Sequence, residues 1–276
     1  MIRVLILTGH RRAIASACLP LLVRDPAIEV AGVVFSRNEP GSRWKRVRRA
    51  LRKIGRIGPL GALIGYRMRT WYRSAEQPDL EALAAEYGVP FDETPRVAHD
   101  RTRELFRKAQ ADLGLSLGNG YIPASVFEIP RLGMINVHGE ILPDYKGAAS
   151  VIWPIHDGRS ETGFAIHRID RGIDTGDILY VERIPIRFQA RLRDTVQAAL
   201  RDIKERIPPA LVKVVAAFDA HLAAAVPQQG GRTLTTPTFG QYLRMLREHR
   251  RLRALANGRG GAQRPGRARA TGRSTG

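Results

Sequence analysis

Asn136 and His138 alternate along the short apolar stretch 134–137, so both side chains leave one face of a strand at its carboxyl end. Gly139, Pro143 and Gly147 interrupt regular structure just beyond, which gives a rigid loop over that end. Further on, residues 169–178 form a second glycine-punctuated acidic loop between two apolar runs and carry Asp170, Asp174 and Asp177. Asn136 supplies an uncharged hydrogen-bond donor, and His138 a donor or proton acceptor near neutral pH. Asp174 can orient an imidazole and favour its charged form. In open α/β sheets, sites lie in the crevice at the carboxyl ends of strands, where two such loops can converge.

Other chemistry fits these residues less well. Asp174-Thr175-Gly176 imitates an aspartic protease, but no second Asp-Thr-Gly occurs to complete the pair of carboxylates. His138-x-Glu140 lacks the downstream paired cysteines of a zinc deaminase. His138, His156 and His167 show no convincing ligand spacing, so no metal is expected. Glu140 itself reads most simply as a solvated loop residue, with contact to a cationic group of a substrate as the alternative.

The elements that must position the two loops follow from periodicity. Residues 2–8 and 28–36 are apolar, β-branched runs suited to parallel strands buried on both faces, with 13–24 as the crossover helix between them. Gly9-His10-Arg11-Arg12-Ala13 lacks the further glycines of a dinucleotide fingerprint. Residues 79–87 read as a helix ended by Gly88, 89–91 as a short strand, 100–111 as a helix and 113–117 as a strand. Residues 178–186 read as a strand, and 195–225 as largely helical with a break at Pro208-Pro209. This alternation predicts a doubly wound, mostly parallel α/β sheet with a basic helical insertion and a helical C-terminal extension. The expected division is a catalytic domain at 1–205 (insertion 37–76), an extension at 206–257 and a disordered Gly/Arg-rich tail at 258–276.

The chain has 276 residues, 43% of them hydrophobic, enough for one sizeable core. Its single cysteine, Cys18, excludes a disulfide framework and sits in an apolar helical run as a buried thiol. The start is too short for a signal segment, and no apolar run approaches the ~20 residues needed to span a bilayer. The expected location is the cytoplasm, with a peripheral membrane position open. The net charge of +19 is unevenly spread. Arg43, Lys45, Arg46, Arg48, Arg49, Arg52, Lys53 and Arg56 interleave with Trp44, Val47, Leu51 and Ile54 at helical spacing. Three readings of residues 37–73 stand side by side: a packed structural helix, a membrane-surface helix, and an arm that binds RNA or another polyanion.

The run Asn136-Val-His138-Gly-x-x-Leu142-Pro143-x-Tyr145-Lys146-Gly147, then Thr162-Gly163, then Asp170-x-Gly172-x-Asp174-Thr175-Gly176, resembles the 10-formyltetrahydrofolate-dependent formyltransferases. That family includes the glycinamide ribonucleotide, methionyl-tRNA and amino-sugar N-formyltransferases. The resemblance is strong over residues 112–185 and looser in the N-terminal strands; Glu140-Ile141 departs from the family's usual Ser-Leu. It implies a catalytic trio of Asn136, His138 and Asp174. It also implies a folate pocket between two loops, with Asn119, Gly120, Tyr121 and Ile122 on one side and Ile169 and Asp170 on the other. Tyr145, Lys146 and His167 are the implied substrate contacts. Small-substrate members carry His where this chain has His167, whereas members acting on tRNA usually do not and add a C-terminal β-barrel. The acceptor expected here is therefore a small phosphate-bearing amine, a nucleotide- or lipid-linked amino sugar. Methionyl-tRNA is the alternative, and a non-catalytic polyanion- or membrane-binding module on the same fold is a further one.

Overall fold

In the computed structural model, which describes residues 1–39, 42–72, 77–147 and 150–261, the first apolar run forms β1 (Ile2–Thr8). It leads through α1 (Ile14–Arg24), where Cys18 is fully buried, to β2 (Ile28–Ser36). The basic segment is helix α2 (Arg43–Met68), followed by a single 3-10 turn (Arg69–Tyr72). Then come α3 (Leu80–Glu86), β3 (Phe91–Thr94), α4 (Asp100–Ala109), β4 (Leu113–Ser116), α5 (Ala124–Phe127) and β5 (Met134–His138). The Asp79 side chain caps α3 by accepting from the Glu81 N–H, and Gly88 in the left-handed region ends its turn. The short strand expected at 89–91 begins instead at Phe91.

The second half contains β6 (Tyr145–Gly147), α6 (Ile152–His156), β7 (Glu161–Arg168) and β8 (Ile178–Pro185). After these come α7 (Leu192–Ala216), α8 (Phe218–Ala223), β9 (Arg232–Leu234) and α9 (Phe239–Gly261). Pro208 and Pro209 do not break α7. The helix buries Val196, Ile203, Ile207, Leu211 and Val215 along one stripe, and that burial outweighs the local cost of the two rings. Residues 258–261, expected in a disordered tail, belong to α9; 262–276 lie outside the described residues.

Seven strands form one sheet in the order β3-β2-β1-β4-β5-β7-β8, parallel from β3 to β5 and antiparallel at β5–β7 and β7–β8. The chain winds outward from β1 in one direction and from β4 in the other, so the topological switch lies between β1 and β4, next to β5. Helix α1 packs against α7 over one face of the sheet, and Leu105, Phe106 and Val126 cover the other. The segment expected as an extension reaches into the body: β9 pairs in parallel with β6, Gly147 opposite Leu234. Among the described residues no helix is long and apolar enough to cross a membrane.

Candidate active site

β4 ends on Ser116, whose hydroxyl donates to Asn136 Oδ1 at 3.0 Å. This fixes the Asn136 carboxamide and turns its NH2 toward His167 Nε2, 3.2 Å away. His167 Nδ1 sits 2.8 Å from the Arg168 carbonyl, which can only accept, so in neutral His167 the proton is on Nδ1 and Nε2 is free to accept from Asn136. His138 is fixed in the same manner. Its Nε2 lies 2.8 Å from the Tyr145 carbonyl and must donate, leaving Nδ1 facing Asp174 Oδ2 at 3.5 Å. Asp174 Oδ1 lies 3.6 Å from His167 Nε2. One carboxylate thus stands between two imidazoles, with a primary amide beside them.

Asp174 adopts a left-handed conformation (φ 53°), which Asp tolerates better than most residues. The Gly147 N–H donates to its Oδ2 at 2.8 Å. Gly147 has φ 91°, and a Cβ there would stand 2.5 Å from the Leu234 carbonyl, so this donor depends on a glycine. Asp170 Oδ1 braces the same loop by accepting from the Gly172 N–H and the Thr175 hydroxyl.

Burial pushes the His138 pKa down, and although Asp174 pulls it back up, the net direction is below the ordinary 6.5. His138 is therefore neutral at pH 7. Burial would raise the Asp174 carboxyl, but the adjacent His167 and His138 rings, whose protonated forms attract the carboxylate, and the Gly147 N–H outweigh it and hold it below the usual carboxylate range. The resting site pairs an ionised carboxylate with a neutral imidazole whose open nitrogen faces it. A proton arriving on Nδ1 would find its counter-charge already in place.

These groups open on a cavity of about 330 Å3. All six residues expected around a folate line it: Asn119, Gly120, Tyr121, Ile122, Ile169 and Asp170. Asn136, His138, His167 and Asp174 line it too. Tyr145 and Lys146 do not. They lie on β6 beside β9, where the Tyr145 ring is buried in the core and the Lys146 ammonium donates to the Gly230 carbonyl at 2.8 Å. What Tyr145 brings to the site is its backbone carbonyl.

Glu140 is a correction: it is 3% exposed rather than solvated. Its carboxylate accepts from the Ile141 N–H at 3.0 Å, the Val151 N–H at 2.6 Å and the Thr162 hydroxyl at 3.1 Å. Burial pushes its pKa up to about 7 against those donors. Val151 is a β-branched residue at φ 71°, so Glu140 clamps a strained turn just past the site. Ser116 is the other residue that sequence reasoning missed; a lone hydroxyl ending an apolar strand was the available signal. Among the described residues no three His, Cys, Asp or Glu side chains are grouped to hold a metal ion.

The formyl transferase family matches residues 73–215. A methionyl-tRNA formyltransferase from Thermosynechococcus vestitus is 34% identical over 138 residues, which are 47% of this chain and 42% of that relative. The chain spans about half the length of the curated relatives it matches. Among solved structures, glycinamide ribonucleotide transformylase 1 from Symbiobacterium toebii shares the fold (TM-score 0.55, 16% identity), with 85% of this chain and 95% of that one covered. A sugar N-formyltransferase from a Shewanella species does so as well (TM-score 0.53, 14% identity), with 90% and 88% covered.

Proposed function

Because the chain belongs to the formyl transferase family, we propose that it is an N-formyltransferase. It moves the formyl group of 10-formyltetrahydrofolate to the primary amine of a small phosphate-bearing substrate, a nucleotide- or lipid-linked amino sugar. The observation that carries this reading is the meeting of Asn136, His138 and Asp174 at the rim of one cavity at the sheet's switch point. The cavity walls fit a flat heterocycle with a polar edge. Ile122 and Ile169 offer apolar surface, and Asn119 Oδ1 is a buried acceptor without a partner among the described residues.

The folate supplies an activated formyl carbonyl, and the work of this chain is electrostatic and acid–base. As the acceptor's nitrogen bonds to the formyl carbon, negative charge gathers on the formyl oxygen. The Asn136 NH2 is the donor suited to it, and such a donor is worth about 3 kcal/mol. The acceptor must lose a proton, the carbon–nitrogen bond to the folate must break, and the departing nitrogen must gain a proton. His138 Nδ1 and Asp174 form a paired route for those protons, a contribution of about 10²–10⁴-fold. His167 orders Asn136, and Ser116 fixes which end of the amide faces the cavity.

His167 supports the small-acceptor reading: buried against Asn136, it occupies the position where the resemblance puts histidine in small-substrate members. A second reading, methionyl-tRNA as acceptor, is favoured by the similarity to the Thermosynechococcus relative and by the cations of α2. Turnover of 10-formyltetrahydrofolate with amino-sugar nucleotides, glycinamide ribonucleotide and methionyl-tRNA, compared side by side, separates the two. Preference for methionyl-tRNA would replace the first reading with the second.

A further inference from the structure

Among the described residues, helix α2 carries an apolar stripe that is left largely open to solvent. Trp44, Val47, Leu51 and Ile54 recur at helical spacing and are all exposed, Trp44 at 78% and Leu51 at 62%. The helix turns at Gly58 (φ 75°) and restarts at Pro59, and beyond that kink Leu60, Leu63 and Tyr66 continue the exposed series. Seven of the fifteen exposed large apolar side chains among the described residues lie on these two helical segments joined at Gly58, which sets them apart from scattered surface leucines. The body is met by another side of α2. Ile57 and Met68 are buried, Gly61 and Gly65 lie against Pro237 and Thr236, and Arg56 donates to the Thr235 hydroxyl at 3.1 Å.

Between residues 43 and 68 there are nine Lys or Arg and no Asp or Glu. Arg48, Arg49, Arg52, Lys53 and Arg56 line, with Thr235, a groove of about 880 Å3. These cations set the sign of the partner, and the apolar stripe sets its class. A nucleic acid would be met by arginines and by flat rings that stack on bases. Val47, Leu51, Ile54, Leu60 and Leu63 cannot stack, and in such a complex they would stay in water. An anionic bilayer interface takes both sets at once, aliphatic side chains toward the acyl chains and arginines toward phosphates.

We propose that helix α2 docks the protein on an anionic lipid bilayer. The apolar stripe enters the interface, and the cations on the other faces of the helix are drawn to the lipid phosphates. Thr235, on the groove wall, directly follows β9, and β9 pairs with β6, whose Gly147 N–H holds Asp174. On the formyl-transfer reading, an amine carried on a lipid phosphate would be presented to the crevice from a bilayer on which α2 rests. That last step depends on the formyl-transfer reading; docking itself does not.

The test sediments the 276-residue chain with vesicles of phosphatidylcholine alone and of phosphatidylcholine mixed with phosphatidylglycerol. Partition is expected on the mixed vesicles only. Combining Leu51→Ser with Ile54→Ser should weaken it about tenfold through lost apolar burial. Combining Arg48→Gln, Arg49→Gln and Arg52→Gln should weaken it about a hundredfold through lost phosphate attraction. The serine variant should keep its circular dichroism spectrum and its turnover of a soluble amine. Absent or lipid-independent sedimentation overturns docking, as does tighter binding to an RNA duplex that the serine variant retains. Vesicle binding without turnover of any amine would instead strike the formyl-transfer reading and leave docking in place.

Discussion

In the crevice, side chains that prefer water are buried and partnered: Glu140 by two backbone N–H groups and a hydroxyl, His138 by the Tyr145 carbonyl, and His167 by the Arg168 carbonyl. On α2, side chains that avoid water are left largely in it: among the described residues Trp44, Leu51 and Leu63 are all more than half exposed. Both arrangements cost stability, since a buried carboxyl must be desolvated and an exposed stripe forgoes burial. They differ in when that cost is recovered. The crevice recovers it within the folded chain, through hydrogen bonds that fix tautomers and hold a strained turn. The helix does not recover it against the described residues, and on the docking proposal it does so against a bilayer. The first pattern belongs to chemistry, the second to contact.

The sharpest way to break this contrast is to disarm the crevice without loosening it. His138→Ala and Asp174→Asn should each lower kcat by about 10²–10⁴-fold, while folate affinity, measured by fluorescence titration, stays close to wild type. Equal loss of folate binding would make these residues part of the pocket wall instead of the transfer machinery. In the wild type, kcat/KM should fall on acidification only below pH 6.5, because burial lowers the His138 pKa and the neutral form works until that lower value is reached.

Glu140 gives the next largest effect. Its folded pKa, about 7, lies above the ordinary 4.5, so the folded state holds a proton that the unfolded chain has released. Stability attributable to this group is therefore greatest below pH 4.5, falls as pH rises toward about 7, and is level above. A rise of about 2.5 units at ~1.4 kcal/mol each corresponds to about 3 kcal/mol. Urea unfolding at pH 5 and pH 8 should show that loss in the wild type and not in Glu140→Gln. His138 and Asp174 titrate in both proteins, so the difference between them isolates Glu140. A parallel pH response would mean that the three donors keep Glu140 ionised throughout.

The two sides of α2 supply the smaller effects. Ile57, 5% exposed, should cost about 2 kcal/mol as Ile57→Ala. Leu51→Ala on the exposed stripe should change stability by less than about 0.5 kcal/mol. A Leu51→Ala loss as large as that of Ile57→Ala, in thermal or urea unfolding, would show that the stripe is packed in solution.

Much of the crevice is legible in the sequence because its signals are local. The spacing Asn136-x-His138 obeys the two-residue strand period, and Gly172 and Gly176 mark the turn that carries Asp174. The sheet is legible too, because buried parallel strands read as β-branched runs. What stays hidden depends on distant partners. Glu140 sits between Gly139 and Pro143 and reads as loop; its burial is decided by Val151 and Thr162. Lys146 looks free to meet a phosphate until β9 brings the Gly230 carbonyl beside it. Pro208 and Pro209 read as a break until α7 is seen to bury its stripe against the sheet and α1. The α2 spacing fits both a packed stripe and a bare one, and only the fold shows which side of the helix is covered.

Formyl transfer that depends on the trio at the cavity rim is the central claim. The decisive measurement is the initial rate of tetrahydrofolate release from 10-formyltetrahydrofolate in the presence of amino-sugar nucleotides, with Asn136→Ala beside the wild type. Amine-dependent release by the wild type is expected, with a loss of about 10²–10³-fold in the variant and its fold unchanged. Release that ignores Asn136, or none with amino sugars, glycinamide ribonucleotide or methionyl-tRNA while the folate still binds, would contradict it.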